Sequence, residues 1–327
     1  MTISELPDDV LLEIFSFYLD YQRDNEDAWH ALVHVCRRWR CLVFASPRHL
    51  HLRLLCTDKS PVKEALDVWP EFPIAIRALY YGRLRSRIQA LVTNVIAALE
   101  QHGRVCEIRL EGDPDWLLKI FSAMKKPLPS LVNLKITSNE IPWQASMIPD
   151  SFLGGSAPRL QSLELYWIPC PEIGKLLLSA RNLVFLRLDG IPRSGQRYTS
   201  PEAMVSDLSM LTGLKSLRLT FVMITPRSQS LQASGHPLPF ARVVLPTLAD
   251  IYFYGDKEYL EDFVSRIDTP LLTNITIGFI NLWVSVTPPL RDFISRTETF
   301  GAYSRIETYF SGDRAKIEFF RRGGEGV

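Results

Sequence analysis

The sequence predicts an α/β chain: a small N-terminal helical head, then an irregular solenoid with parallel strands on its concave face and helices on its convex face. Three observations lead there. Residues 6–50 carry two amphipathic helical patterns. From Val105 onward, seven segments share the spacing L-x-x-L-x-L, with first positions separated by 26, 29, 23, 31, 34 and 24 residues. Helical apolar patterns fill the intervals between them. The chain has 327 residues, 46% hydrophobic and 22% charged, which excludes bulk disorder and gives enough length for a sizeable core.

In the head, Pro7 suits a first helical position, and Asp8 and Asp9 follow where acids complement a helix N-terminus. Val10, Leu11, Ile14 and Phe15 make one apolar helical face. Asp24 or Asn25 can cap a second helix, along which Ala28, Leu32, Val35, Trp39 and Val43 form a stripe at steps of 4, 3, 4 and 4. Ser46-Pro47 ends it. Charge is split: residues 1–30 hold eight acids and one base, residues 31–53 five arginines and no acid. Phe15, Phe17, Tyr18 and Trp39 are more apolar surface than two short helices can hide. Either the body or another chain must cover them.

The run from Leu6-Pro7-Asp8-Asp9-Val10 through Ile14-Phe15-Ser16, followed by Val35-Cys36-Arg37-Arg38-Trp39, resembles an F-box. That resemblance implies docking to a Skp-type adaptor and, through it, to a cullin. The expected contact residues are Leu6, Pro7, Val10, Leu11, Ile14, Phe15, Leu32, Val35, Cys36 and Trp39.

The repeated units begin at Val105, Leu131, Leu160, Leu183, Leu214, Leu248 and Leu272. Their last two apolar positions are two apart and so face one way from a short strand. Helices are expected around Trp116–Met124, Ile173–Ala180, Met204–Leu211, Leu260–Ile267 and Leu290–Ile294. A strand, turn and helix every 20 to 35 residues resembles the leucine-rich repeat, whose units stack because none buries its own apolar face. The Asn or Cys expected three residues after the last Leu occurs once, as Asn139. Its counterparts Asp113, Ile168, Ile191, Val222, Asp256 and Ile280 imply irregular turns.

Residues 51–103 read as a packed junction, with Leu52, Leu54 and Pro73-Ile74-Ala75-Ile76 in short strands and a helix from Arg85 to His102. Trp69-Pro70 and Pro73-Ile74-Ala75-Ile76, with Ser151–Pro158 and Val244–Leu248, are similar to a fungal F-box-like family with degenerate repeats. The expected division is residues 1–50 as F-box module, 51–103 as junction, 104–320 as leucine-rich-repeat-like solenoid and 321–327 as frayed tail.

Other chemistries find little support. A net charge of +1 argues against nucleic acid as a partner, and the short run Arg77, Arg83, Arg85, Arg87 beside Tyr80 and Tyr81 reads as a helix start. The uncharged stretch 269–290 is interrupted by polar residues and reads as a strand and turn, not a membrane span; the sequon at Asn274 reads as chance. The cysteines, Cys36, Cys41, Cys56, Cys106 and Cys170, are odd in number with no C-x-x-C pair, which suits reduced core thiols. Met1 to Asp9 carries acids and no base, unlike a secretory leader, so a cytoplasmic or nuclear setting is expected. His30, His34 and Cys41 share a helix face without the remaining ligands of a metal site. Ser122-Ala123-Met124-Lys125 matches S-x-x-K on a helix without the companion motifs of that chemistry. No cofactor, metal or catalytic group is expected.

The sequence-level expectation is therefore a non-catalytic substrate receptor of an SCF-type cullin-RING ubiquitin ligase, with an unidentified protein substrate held on the repeat body. Tyr166, Trp167, Tyr252 and Tyr254 are the candidate substrate contacts, since they flank buried strand positions; the other tryptophans, Trp116, Trp143 and Trp283, read first as core. The alternative is a repeat scaffold acting outside a ligase, because Phe17 to Ala31 is longer than the usual F-box connection.

Overall fold

The computed structural model describes residues 3–22, 28–57, 62–68, 71–79, 85–140, 148–149, 151–168, 173–192, 200–222, 241–279, 287–297, 299, 303–311 and 314–321. A 3-10 turn (Ile3–Glu5) precedes helices α1 (Asp8–Tyr21), α2 (Trp29–Val33) and α3 (Arg37–Ala45). There follow β1 (Leu54–Cys56), α4 (Val62–Val68), β2 (Ile74–Leu79), α5 (Arg85–Glu100), β3 (Val105–Gly112), α6 (Pro114–Ala123) and β4 (Asn133–Ser138). Next come a second 3-10 turn (Phe152–Gly155), β5 (Ser162–Tyr166), α7 (Ile173–Ser179), β6 (Phe185–Pro192), α8 (Pro201–Leu208) and β7 (Ser216–Val222). The remainder is β8 (Val243–Val244), β9 (Asp250–Gly255), α9 (Lys257–Ser265), β10 (Ile267–Asp268), β11 (Asn274–Phe279), α10 (Pro288–Arg296), β12 (Tyr303–Ser311) and β13 (Arg314–Arg321).

The architecture is mixed α/β. One open sheet has the order β1-β2-β3-β4-β5-β6-β7-β9-β11-β13-β12, and β8 pairs with β10 in a two-stranded parallel ribbon. From β1 to β11 every pairing in the large sheet is parallel. Each repeated L-x-x-L-x-L segment supplies one of these strands. The register lines up their apolar positions. Ile108, Leu134, Leu163, Leu186, Leu217, Ile251 and Ile275 form one row, and Leu110, Ile136, Leu165, Leu188, Leu219, Phe253 and Ile277 another. Both rows are buried and join the buried faces of the helices in one continuous core. Strand alternation sends the residues between them to the opposite, polar face.

Several expectations change. Residues 51–103 carry β1 and β2, which pair in parallel with each other and with β3, so the junction is already sheet. At the other end β13 runs antiparallel to β11, and β12 antiparallel to β13. Only two residues separate β12 from β13, and a connection that short can only reverse the chain; a parallel return needs a crossover of a dozen or more. The uncharged stretch 269–290 contains β11 and the start of α10, and among the described residues no helix is long and apolar enough to cross a membrane.

The single second helix expected in the head is two. Cys36 adopts an extended conformation (φ −159°, ψ 168°), and its Sγ accepts from the Trp39 N–H at 3.5 Å, so it caps α3 and breaks the stripe. Val35, on that break, is exposed. Cys36 and Cys41 are also exposed, against the expectation of core thiols, whereas burial pushes the Cys56 thiol up to about 11 and the Cys106 thiol upward too. The capping candidates at 24–27, Trp69-Pro70, Trp143, Cys170, Trp283 and the tail beyond Arg321 lie outside the described residues.

Two of the positions where repeat consensus expects Asn or Cys hold aspartates that start helices instead. Asp113 precedes α6 and its Oδ1 accepts from the Trp116 N–H at 2.8 Å, with Pro114 at the first helical position. Asp256 is the N-terminal boundary residue of α9. Replacing Asp113 with alanine is expected to cost about 1 kcal/mol in urea denaturation, with Asp113→Asn retaining most of the stability. Equal loss in both variants would show that the carboxylate does more than cap.

Candidate functional site

The head has two apolar stripes on α1, and the fold separates them. Leu11 and Phe15 are fully buried, with Tyr18 packed against the same core and Phe15 4.6 Å from the Trp39 ring. Beside them runs a second stripe at i, i+4, i+7 and i+11: Val10 and Ile14 are each 40% exposed, Phe17 77% and Tyr21 81%. Ile3 before the helix and Val35 on the α2–α3 break are exposed as well. Glu13, Ile14, Ser16, Phe17 and Asp20 line a shallow depression on this side.

The arginines of the head hold this arrangement together. Arg38 donates to the Leu6 carbonyl at 2.6 Å and to Asp8 Oδ1 from Nη2 (2.6 Å) and Nε (3.0 Å), pinning the approach to α1 against α3. Arg40 Nε donates to the Val33 carbonyl at 2.9 Å, bridging the break between α2 and α3. The charge split in the sequence thus serves partly as internal clamping. The head meets the sheet through aromatic rings: Trp29 stands edge-on to Phe72 at 5.5 Å, and Phe44 lies 5.8 Å from Phe72.

Among the expected adaptor contacts, Val10, Ile14, Pro7, Val35 and Cys36 lie at the surface, and Leu6 and Trp39 are half-buried. Leu11, Phe15 and Leu32, expected at the same contact, are buried in the chain's own core, where Phe15 packs against Trp39 of α3. Phe17, already among the apolar residues that need cover, and Tyr21, which the expected contacts do not include, continue the exposed stripe at the spacing 10, 14, 17, 21. His30 stacks edge-on against Trp29 at 4.0 Å, His34 and Cys41 are exposed, and no metal-holding group of three converges among the described residues. Ser122 Oγ donates to the Lys119 carbonyl at 2.7 Å, as an ordinary helix-surface serine.

The polar face of the sheet carries the other candidates. Tyr166 lies half-buried between Lys135 Nζ (4.9 Å from the ring centroid) and the Arg187 guanidinium (4.5 Å). Its hydroxyl donates to Glu164 Oε2 at 2.6 Å, and burial, then that bond, push its pKa up to about 12. Arg187 is in turn paired with Asp189 at 2.9 Å. Arg218 lies 5.8 Å from the Phe185 ring and 5.9 Å from that of Tyr252, with Asp250 Oδ2 at 4.0 Å. Tyr252 and Tyr254 share the face with Tyr166. Three strand spacings separate them, roughly 14 Å, so they flank one surface without forming one cluster.

Trp167 ends β5 with φ +57°, a left-handed conformation that a bulky side chain adopts only when its surroundings impose it. Its N–H donates to the Asp189 carbonyl at 2.7 Å, and its ring covers Gly190. Gly190 itself has φ +77°, and a Cβ there would stand 2.7 Å from the Trp167 ring. Gly190→Ala is expected to destabilise the protein by about 2 kcal/mol in thermal unfolding. The same exchange at Gly103, where nothing lies within 4 Å, should be near neutral. Equal effects at both positions would remove the case that Trp167 is held in place by this contact.

Comparison with protein families matches residues 3–54 to the F-box-like domain. No curated protein matches the chain in sequence. An F-box-like domain binds Skp-type adaptors and points, in general terms, to an adaptor role of the SCF type, a role that is typically non-catalytic.

Proposed function

We propose that this protein is a substrate-recognition subunit of an SCF-type cullin-RING ubiquitin ligase. Residues 3–54 dock to the Skp adaptor, and the body is an irregular leucine-rich-repeat solenoid whose polar sheet face holds a protein substrate. The observation that carries the first half is the exposed stripe Val10, Ile14, Phe17 and Tyr21 within the F-box-like segment, an apolar strip that the chain's own core leaves uncovered. The second half is supported by seven repeated segments that place their strands in register and leave half-buried aromatic and charged residues on the face away from the helices. In this reading the chain positions a substrate and supplies no reacting group.

The test is co-expression with a Skp-type adaptor followed by gel filtration. Co-migration as a stoichiometric complex is expected. Separate elution of two folded proteins would overturn the ligase reading.

A further inference from the structure

We infer that strand β12, at the end of the large sheet farthest from the head, joins a second copy of this chain by antiparallel pairing centred on Ile306. Natural sheets blunt their edges, because an open edge offers unpaired N–H and C=O groups to any other strand. The edge next to the head is blunted by its length, since β1 has three residues. The other edge is not: β12 has nine residues, Tyr303–Ser311, with neither Pro nor Lys among them. Among the described residues β12 pairs with β13 alone and is the last strand of its sheet.

The register tells which backbone groups β12 offers. From Arg305 to Ser311 its pairing with β13 is regular, and Ser311 stands opposite Arg314 across the two-residue connection. A pair that closes so short a connection is hydrogen-bonded, and such pairs alternate along an antiparallel ladder. Ser311, Tyr309, Glu307 and Arg305 therefore direct their backbone groups to β13, while Phe310, Thr308 and Ile306 turn theirs to the open edge. A second copy can pair there only in registers that set these outward residues opposite one another.

One such register matches the charges. With Ile306 opposite Ile306 of the second copy, Arg305 falls opposite Glu307, and Glu307 opposite Arg305. Centring the pairing one residue to either side sets Arg305 opposite Arg305, or Glu307 opposite Glu307, and like charges directly opposite destabilise a sheet. Centring it on Thr308 sets Glu307 opposite Tyr309 and forms no ion pair. Within the chain Glu307 already stands opposite Glu318, whose neighbour on the other side is Thr276. The second copy's Arg305 supplies the cation that this row lacks. Residues directly opposite in an antiparallel pair lie on one face, so the polar faces of the two copies run on into each other, with the two heads at the far ends.

The test is sedimentation equilibrium of the full-length chain at concentrations up to about 100 µM, which reaches the range of small, weak interfaces. A dimer of twice the 37.4 kDa of one chain is expected. Arg305→Glu and Glu307→Arg should each weaken it about tenfold or more, since each sets two like-charge pairs in place of two ion pairs. An equimolar mixture of these two variants should recover dimers of parental strength, because every pair between the unlike copies is then opposite in charge. The double exchange in one chain should do the same. Ile306→Pro removes the central N–H from the open edge, where a single chain tolerates proline, and should abolish the dimer with circular dichroism unchanged. A monomeric parent, a dimer untouched by Ile306→Pro, or single charge variants whose mixture stays as weak as each alone would overturn the inference. The measurement contains no adaptor, so its failure and a failure to co-migrate with the Skp adaptor are separate results.

Discussion

Exchanging Ile14 and Phe17 together for aspartate abolishes co-migration with a Skp-type adaptor and leaves the fold intact: this is the largest binding effect expected of this protein. Both side chains lie on the exposed stripe of α1, one 40% and the other 77% exposed, so aspartate there disturbs no core packing. Surface exchanges of this kind usually change stability by less than about 0.5 kcal/mol, and the melting temperature should move by no more than about 2 °C. At an interface the same residues become buried anchors, each worth about 2 kcal/mol or more, and aspartate adds the cost of burying a charge. A combined loss of about 4 kcal/mol is roughly a thousandfold in affinity. The contrast is Leu11→Ala. Leu11 sits one residue from Val10 but is fully buried, so its loss should act through folding, by about 2–5 kcal/mol. An Ile14/Phe17 double variant that still co-migrates at parental strength would show that the adaptor does not use this stripe.

The largest expected effect on stability comes from Trp29→Ala. The indole is 2% exposed and forms, with Phe44 and Phe72, the aromatic joint between head and sheet; the Trp29–Phe44 centroids are 6.4 Å apart. Truncating a buried Trp or Phe costs about 3–5 kcal/mol, because transfer energy is lost and a cavity remains. Head and sheet share one continuous core, so the whole urea transition should shift to lower denaturant as one step. Trp39→Ala, at a half-buried position against Phe15, should cost less. An unchanged midpoint for Trp29→Ala would mean that the head is not held through this joint.

The strands of the body were readable in the sequence because two apolar positions two apart, recurring in unit after unit with a helical pattern between, have one structural meaning. The apolar residues at helical spacing in two of the intervals, Trp116, Leu117, Ile120, Phe121 and Met124, then Ile173, Leu176, Leu177 and Ala180, are all buried. The cross-strand cations of the polar face were present in the same pattern, at the position between the second and third apolar residues of four of the seven units. Arg109, Lys135, Arg187 and Arg218 all occupy it. They became a row only when the register was known, since steps of 23 to 34 residues conceal which side chains end up adjacent.

The head was read less well, for a physical reason. Val10, Leu11, Ile14 and Phe15 lie on adjoining faces of one helix, and a helix with a wide apolar arc does not say which edge turns inward. That choice depends on what packs against it. The break between α2 and α3 depends on a cysteine sulfur taking a backbone N–H, an uncommon cap that periodicity does not register.

By itself, the amino-acid sequence determined an alternation of strand and helix behind a short helical head, because apolar spacing controls which faces can be buried. Only the tertiary structure decided that Leu11, Phe15 and Leu32 belong to the chain's own core while Val10, Ile14, Phe17 and Tyr21 stay at its surface. It alone set Arg77, Arg109 and Lys135 side by side. Burial and register are relations between distant segments, fixed by packing across the whole core and by strand pairing, and no local pattern contains them.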